Sequence, residues 1–138
     1  MLGLDLTHNR GDIFRAFLEG IAMGTAQVFE TYEAIGQNPK KIMAVGGGTK
    51  NNIWMQATSD FSKIDQVVSE KSTGASYGNA FLAALAVGAV SQSDITRWNP
   101  ELSKIKTQHS TLHAEKNKLF RQLYESSKEI AHAVADST

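Results

Sequence analysis

Cysteine is absent from all 138 residues, which excludes disulfide scaffolds, thiolate zinc sites and cysteine nucleophiles together. An excess of charge of either sign is absent too. The 14 basic side chains balance 14 acidic ones, and a surface without a basic surplus has little with which to displace counterions, so neither a nucleic-acid binder nor an anionic-membrane binder is expected. No run of about 18 residues is apolar throughout, the length a membrane-crossing helix needs. The stretch from Met1 to Arg10 holds no cationic segment followed by a long apolar run, which is the secretory-signal pattern, and we expect a soluble, cytoplasmic protein. What is present is 41% hydrophobic residues on a chain of one domain's length, enough to bury roughly 68–70% of its unfolded surface.

Apolar spacing divides that chain into helices and short strands. From Asp12 to Ile35 the residues Ile13, Phe14, Phe17, Leu18, Ile21, Val28, Phe29, Tyr32 and Ile35 form the stripe of a long amphipathic helix, with Asp12 as N-cap and Gly36 followed by Pro39 as its stop. Gly20 and Gly24 lie one turn apart inside it, each costing about 0.8–1.0 kcal/mol relative to alanine, and so predict close packing of another backbone there. Ile42-Met43-Ala44-Val45 reads as a strand ending in Gly46-Gly47-Gly48, after which Ile53, Trp54, Ala57 and Phe61 resume helical spacing. Gln66-Val67-Val68-Ser69 is a second strand, Ser72-Thr73-Gly74 a turn, and Ala75 to Val87 a helix stopped by Gly88. Residues 91–111, with Asn99-Pro100, read as a surface connection holding at most a helical turn after Asp94. Residues 112–135 read as a terminal helix with Leu112, Leu119, Phe120, Leu123, Tyr124, Ile130 and Val134 on its buried stripe.

The alternation predicts an α/β fold of parallel strands with right-handed crossovers. About four helices and only two strands make a poor sheet, because an isolated pair leaves both edges unpaired. Either the first ten residues add a strand, or the sheet is completed by chain beyond these residues.

The segment Val45-Gly46-Gly47-Gly48-Thr49-Lys50-Asn51-Asn52 lies where a strand's carboxyl end meets a helix N-terminus. Glycines there let backbone amides approach a phosphate or nucleotide, and the helix dipole favours negative charge. Ligands of open α/β sheets bind at this edge. The alternative is a tight turn with no ligand. The segment is not a P-loop, because no second glycine followed by Lys-Ser/Thr stands at the required spacing, and it only half matches a dinucleotide fingerprint, with Asn51 at the third glycine position and Glu70 as the candidate ribose acid.

Four blocks in order carry a more specific pattern: Gly3-Leu4-Asp5-Leu6-Thr7-His8-Asn9-Arg10; Arg15-Ala16-Phe17-Leu18-Glu19-Gly20-Ile21-Ala22; Gly46-Gly47-Gly48-Thr49-Lys50-Asn51 with Trp54-Met55-Gln56 and Ser59-Asp60; and Thr73-Gly74-Ala75-Ser76-Tyr77-Gly78-Asn79-Ala80. Together they resemble the carboxyl-terminal domain of FGGY-family carbohydrate kinases, xylulose kinase and its relatives above all, over about residues 3–90. The resemblance implies part of an actin-like, ribonuclease-H-like fold that transfers the ATP γ-phosphate to a sugar hydroxyl with Mg²⁺. It implies that Gly47 and Gly48 lie against the α-phosphate and adenosine, that Asn51 contacts the adenosine end, that Gly46 permits the turn, and that Thr73-Gly74-Ala75 walls the adenine pocket. The family's sugar-binding residues, amino-terminal phosphate loop and catalytic aspartate match nothing in residues 1–138. The chain therefore resembles the ATP-side last third of a kinase, and by itself is expected to be inactive. Its expected partners are a nucleotide and either another copy or a missing amino-terminal half, with the sugar bound only by the complete enzyme. A non-enzymatic nucleotide-binding or interaction module is the alternative.

Other chemistry-bearing residues read as structural. Asp5, Asp12 and Glu19 have no partner base at a defined spacing, and Asp60 reads as an anchor at a helix end. His109 and His113 are four apart but lack a third ligand other than Glu115, so no metal site is expected. His8 is expected to fix the entry to the first helix, and Trp54 and Trp98 to pack at the core or its rim.

Overall fold

The computed structural model describes residues 3–71 and 74–137. In chain order the elements are α1 (Arg10–Ala34), β1 (Ile42–Ala44), a 3-10 turn (Gly47–Lys50), α2 (Asn52–Ser62), β2 (Gln66–Ser69), α3 (Ala75–Ala86), a short 3-10 turn (Gln92–Asp94), α4 (Ile95–Trp98), β3 (Glu101–Ile105) and α5 (Thr111–Asp136). The α/β class is as the alternation predicts. The sheet, however, is mixed. Its order is β1-β2-β3, with β1 parallel to β2 and Ile42 opposite Gln66, and β3 antiparallel to β2 with Gln66 opposite Ile105.

The third strand corrects the reading of residues 91–111 as a plain connection. β3 is exposed along nearly its whole length, so it carries no apolar alternation to read. It is held by main-chain pairing to β2 and by ion pairs of Lys41 with Glu101 and of Lys104 with Asp65. The amino-terminal segment, by contrast, adds no strand among its described residues, Gly3 to Asn9. It folds into a local turn in which Asp5 Oδ1 accepts from the Thr7 amide at 2.8 Å and the Thr7 hydroxyl at 2.6 Å. The Asp5 amide donates to His8 Nδ1 at 3.1 Å, so His8 does shape the entry to α1.

α1 begins earlier than Asp12 suggested. Asn9 is the N-cap: its Oδ1 accepts from the Gly11 amide at 2.7 Å, while Asp12 Oδ2 accepts from the Asn9 amide at 2.9 Å. This reciprocal capping box uses Asp12 as the third helical residue rather than as the cap. The helix ends as expected, with Gly36 at φ 80°, in the left-handed region glycine enters at little cost.

α1 crosses α2 on small side chains. Ala22, Ala26 and Ala57 surround Phe61, with Met23 at the margin, and alanines at a crossing let helix axes approach closely. Leu18, Ile64 and Val67 are buried as well. Of the apolar stripe predicted for α1, Leu18 is buried, but Phe14, Phe17, Ile21, Val28, Tyr32 and Ile35 are exposed, as are Leu112, Leu119, Leu123, Tyr124, Ile130 and Val134 of α5. Nor does another backbone press on Gly20 or Gly24, since a Cβ at either would meet no atom within 4 Å. The physical reason is one of supply. The described elements that pack on α1 are α2 and α5, and they cover its small-residue side only.

α5 is tied to α1 largely by charge. Glu19 accepts from Arg15 Nε at 2.8 Å and from Lys116 Nζ at 2.6 Å, and Glu30 pairs with Arg121. Burial opposes ionisation of Glu19, but the hydrogen bonds and charges of Arg15 and Lys116 outweigh it and hold its carboxyl below the usual glutamate range. A depressed folded-state pKa contributes stability above the unfolded pKa and loses it as pH falls through the folded one. Glu19→Gln is therefore expected to flatten the acid limb of a Tm-against-pH curve below the ordinary glutamate range. An unchanged acid limb would remove Glu19 from the tie.

Candidate functional site: the glycine turn after β1

The chain leaves β1 at Val45 and enters a turn that the local sequence builds almost alone. Gly46 adopts φ 92° and ψ −177°, a conformation costly for any residue with a Cβ. Its carbonyl accepts from the Thr49 amide at 3.2 Å and from Thr49 Oγ1 at 2.8 Å. The Gly48 carbonyl accepts from the Asn51 amide at 3.0 Å. Asn51 then caps α2, its Oδ1 accepting from the Trp54 amide at 3.1 Å. The amides of Gly47 and Gly48 open the 3-10 turn, where no earlier carbonyl of that turn is available to accept from them.

The three glycines are there for different reasons. Gly46 supplies the positive φ. A Cβ on Gly48 would come within 2.9 Å of the Trp54 ring, so an aromatic side chain already occupies that space. Gly47 has neither reason: its φ is ordinary, and a Cβ there would meet nothing within 4 Å. It is exposed, and the space above it is open to a ligand.

The structure thus brings Gly46, Gly47, Gly48 and Asn51 together on one turn at the carboxyl end of β1 and the N-terminus of α2. Because β2 runs parallel to β1, the chain leaving β2 departs from the same edge. There the Asn99 side chain grips Lys71 twice, Oδ1 accepting from its amide and Nδ2 donating to its carbonyl, both at 2.9 Å. Of the expected adenine wall, Thr73 lies outside the described residues, and Gly74, at φ 72°, precedes α3. Glu70, the candidate ribose acid, is exposed and pairs with Lys71 at 3.2 Å.

On the other side of α2 the acidic and imidazole groups are spent on packing. Asp60 Oδ1 accepts from Gln56 Nε2 at 2.9 Å and from the Gln108 amide, and the Asp60 carbonyl accepts from His109 Nδ1 at 2.8 Å. His113 Nδ1 accepts from the Ser110 amide at 3.1 Å. These bonds fix the path from β3 into α5, and among the described residues no group of three or more potential metal ligands gathers. A cleft of about 320 Å³ lies here, lined by Arg15, Glu19, Gln56, Asp60 and His113, in which Arg15 already pairs with Glu19 and Gln56 donates to Asp60.

The sequence reading places Gln66 in a strand and Trp54 at the core or its rim, without assigning either a partner. Gln66, in a strand, is buried and donates through Nε2 to the Met55 carbonyl and to Ser59 Oγ at 2.9 Å. A lone polar residue opening an apolar run was its signal. Trp54 covers Gly48, and the signal was an aromatic three residues after a cap that itself follows three glycines.

A family model described as the FGGY family of carbohydrate kinases, C-terminal domain, matches residues 1–87. The chain belongs to this family. Among its FGGY relatives, the xylulose kinase of Bacillus subtilis is 32% identical over 88 residues, covering 64% of this chain and 18% of that protein. Glycerol kinase 1 of Thermotoga maritima is 35% identical over 98 residues, or 70% of this chain and 20% of that one. The crystal structure of xylulose kinase from Rhodospirillum rubrum superposes with a TM-score of 0.80 at 26% identity, over 94% of this chain and 27% of that chain. The chain thus spans about a fifth of the length of the curated relatives it matches.

Proposed function

We propose that this chain is the ATP-side portion of a carbohydrate kinase of actin-like, ribonuclease-H-like architecture, with Gly46, Gly47, Gly48 and Asn51 holding the nucleotide. The observation that carries the reading is Gly47, a glycine that neither backbone conformation nor packing within the chain requires, exposed beside amides at a helix entrance. Those amides and the α2 dipole favour a phosphate. Asn51 keeps its side-chain amide group available while its oxygen caps α2. Mg²⁺ would arrive on the nucleotide's phosphates, as this ion often does. The bound ATP supplies a transferable phosphoryl group, and what these residues contribute is placement and electrostatic support.

The sugar, xylulose or a related sugar or polyol, and the base that deprotonates its hydroxyl belong in this proposal to chain beyond residues 1–138. A cytoplasmic location is part of the same reading. Calorimetry of the purified chain with ATP and Mg²⁺ tests it: weak but saturable binding is expected, and no heat at millimolar nucleotide would reduce the turn to a structural feature. The same preparation is expected to phosphorylate none of xylulose, ribulose, gluconate or glycerol. Turnover above background would show that the chain carries its own base and sugar site.

A second reading, a module that associates with another copy or with a separate amino-terminal half, is favoured by the exposed faces of α1 and α5 and the unpaired edge of β1. Light scattering separates the two, since a clean monomer that binds ATP supports the nucleotide role alone.

A further inference from the structure

Three side-chain and backbone contacts close a circuit around the glycine turn. The Gly48 carbonyl takes the Asn51 amide at 3.0 Å, Asn51 Oδ1 takes the Trp54 amide at 3.1 Å, and the Trp54 ring folds back over Gly48, its Cζ3, Cε3 and Cη2 atoms 2.9, 3.3 and 3.5 Å from where a Cβ would stand. We propose that Trp54 is a positioning residue for the nucleotide, its indole lying across Gly48 and holding the amides of Gly47 and Gly48 in the arrangement a phosphate needs. The nucleotide half of this inference rests on the function proposed above.

The 3-10 turn packs chiefly on α2, and among the described residues the one side-chain hydrogen bond of the turn, Thr49 to the Gly46 carbonyl, is local. A turn rich in glycine has many accessible backbone states, and ordering it on binding costs affinity unless something orders it beforehand. The indole is a rigid plate on two torsions, so it confines the turn at small entropic cost of its own. Half-buried rather than buried, Trp54 is not a member of the cluster around Phe61, so its removal leaves the α1–α2 crossing intact. Trp98 does a different job, meeting Tyr77 at a tilt and Phe81 edge-on, with ring centroids 5.6 and 5.5 Å apart.

The test uses Trp54→Ala and Trp54→Phe, with Gly48→Ala as a third variant whose new methyl pushes the ring away from the turn. Two readouts are taken on each: the exchange rates, by NMR without ligand, of the Thr49 and Asn51 amides, which donate to the Gly46 and Gly48 carbonyls, and ATP–Mg²⁺ affinity by calorimetry. Trp54→Ala is expected to speed amide exchange at Thr49 and Asn51 and to weaken ATP about tenfold, a loss of about 1.4 kcal/mol. Gly48→Ala should do likewise, and Trp54→Phe, which keeps a ring over the turn, should recover most of the affinity, with Tm near that of the parent chain in both Trp54 variants. Unchanged amide exchange in Trp54→Ala overturns the positioning role whether or not ATP binds. Faster exchange with unaltered ATP affinity overturns its importance for the nucleotide, whereas a parent chain that binds no ATP defeats the proposed function and leaves the exchange result to decide the clamp.

Discussion

Phe61→Ala is expected to lower the stability of this chain by about 3–5 kcal/mol, the range for truncating a fully buried phenylalanine. The high end applies because of what surrounds the ring. Phe61 is 2% exposed among Ala22, Ala26 and Ala57, and alanines have no side-chain length with which to fill the space left behind. The ring also meets the His113 ring edge-on, with centroids 5.1 Å apart and planes at 87°, a contact that adds about 0.5–1.5 kcal/mol in such pairs. A domain of this size has about 5–15 kcal/mol in all, so the substitution should shift the urea midpoint far to the left with little change in slope. Phe17→Ala is the control. That ring is 61% exposed, and its loss should stay within about 0.5 kcal/mol, as at other surface positions. If the two substitutions cost the same, the crossing of α1 and α2 is not where the stability resides.

Gly47→Val is expected to reduce ATP–Mg²⁺ affinity by at least about tenfold while leaving Tm nearly unchanged. The three glycines differ in what a side chain would meet. Gly46 sits at φ 92°, so a side chain there would carry a backbone penalty of roughly 1–2 kcal/mol. One at Gly48 would collide with the Trp54 ring. At Gly47 the backbone is ordinary and the surroundings are open, so valine perturbs the folded chain little, and its methyls fill the space through which the proposed phosphate would approach. Titration calorimetry and thermal unfolding on the same sample separate the two effects. Undiminished affinity in a folded Gly47→Val chain would take the nucleotide away from this turn.

Much of this was legible in the sequence, and the parts that were not have physical causes. The helices α2 and α3, the strands β1 and β2 and the turn between β1 and α2 follow from apolar spacing and glycine placement, because those elements are either buried or sharply punctuated. β3 was hidden because an exposed edge strand of Glu, Leu, Ser, Lys and Ile is held by its backbone, and backbone bonds leave no mark on side-chain pattern. The buried side of α1 was misread for the opposite reason. Its largest apolar residues are Phe14, Phe17 and Ile21, yet the chain packs on Ala22 and Ala26, where small size counts for more than hydrophobicity. The order of the four sequence blocks led to the FGGY family more directly than any element boundary did.

The placement of Gln66 has a mechanical consequence. α2 is 11 residues long, a rod of about 16 Å, and its groups are gripped along its length by Gln66, which reaches Met55 and Ser59, and at its far end by Asp60, which holds the chain at Gln108 and His109. A tilt of about 10° on such a lever would carry its free end through about 3 Å. The aim of the amides at Gly47 and Gly48 is therefore set from two ends, by Gln66 on the sheet beneath the helix and by the Trp54 ring at the turn itself.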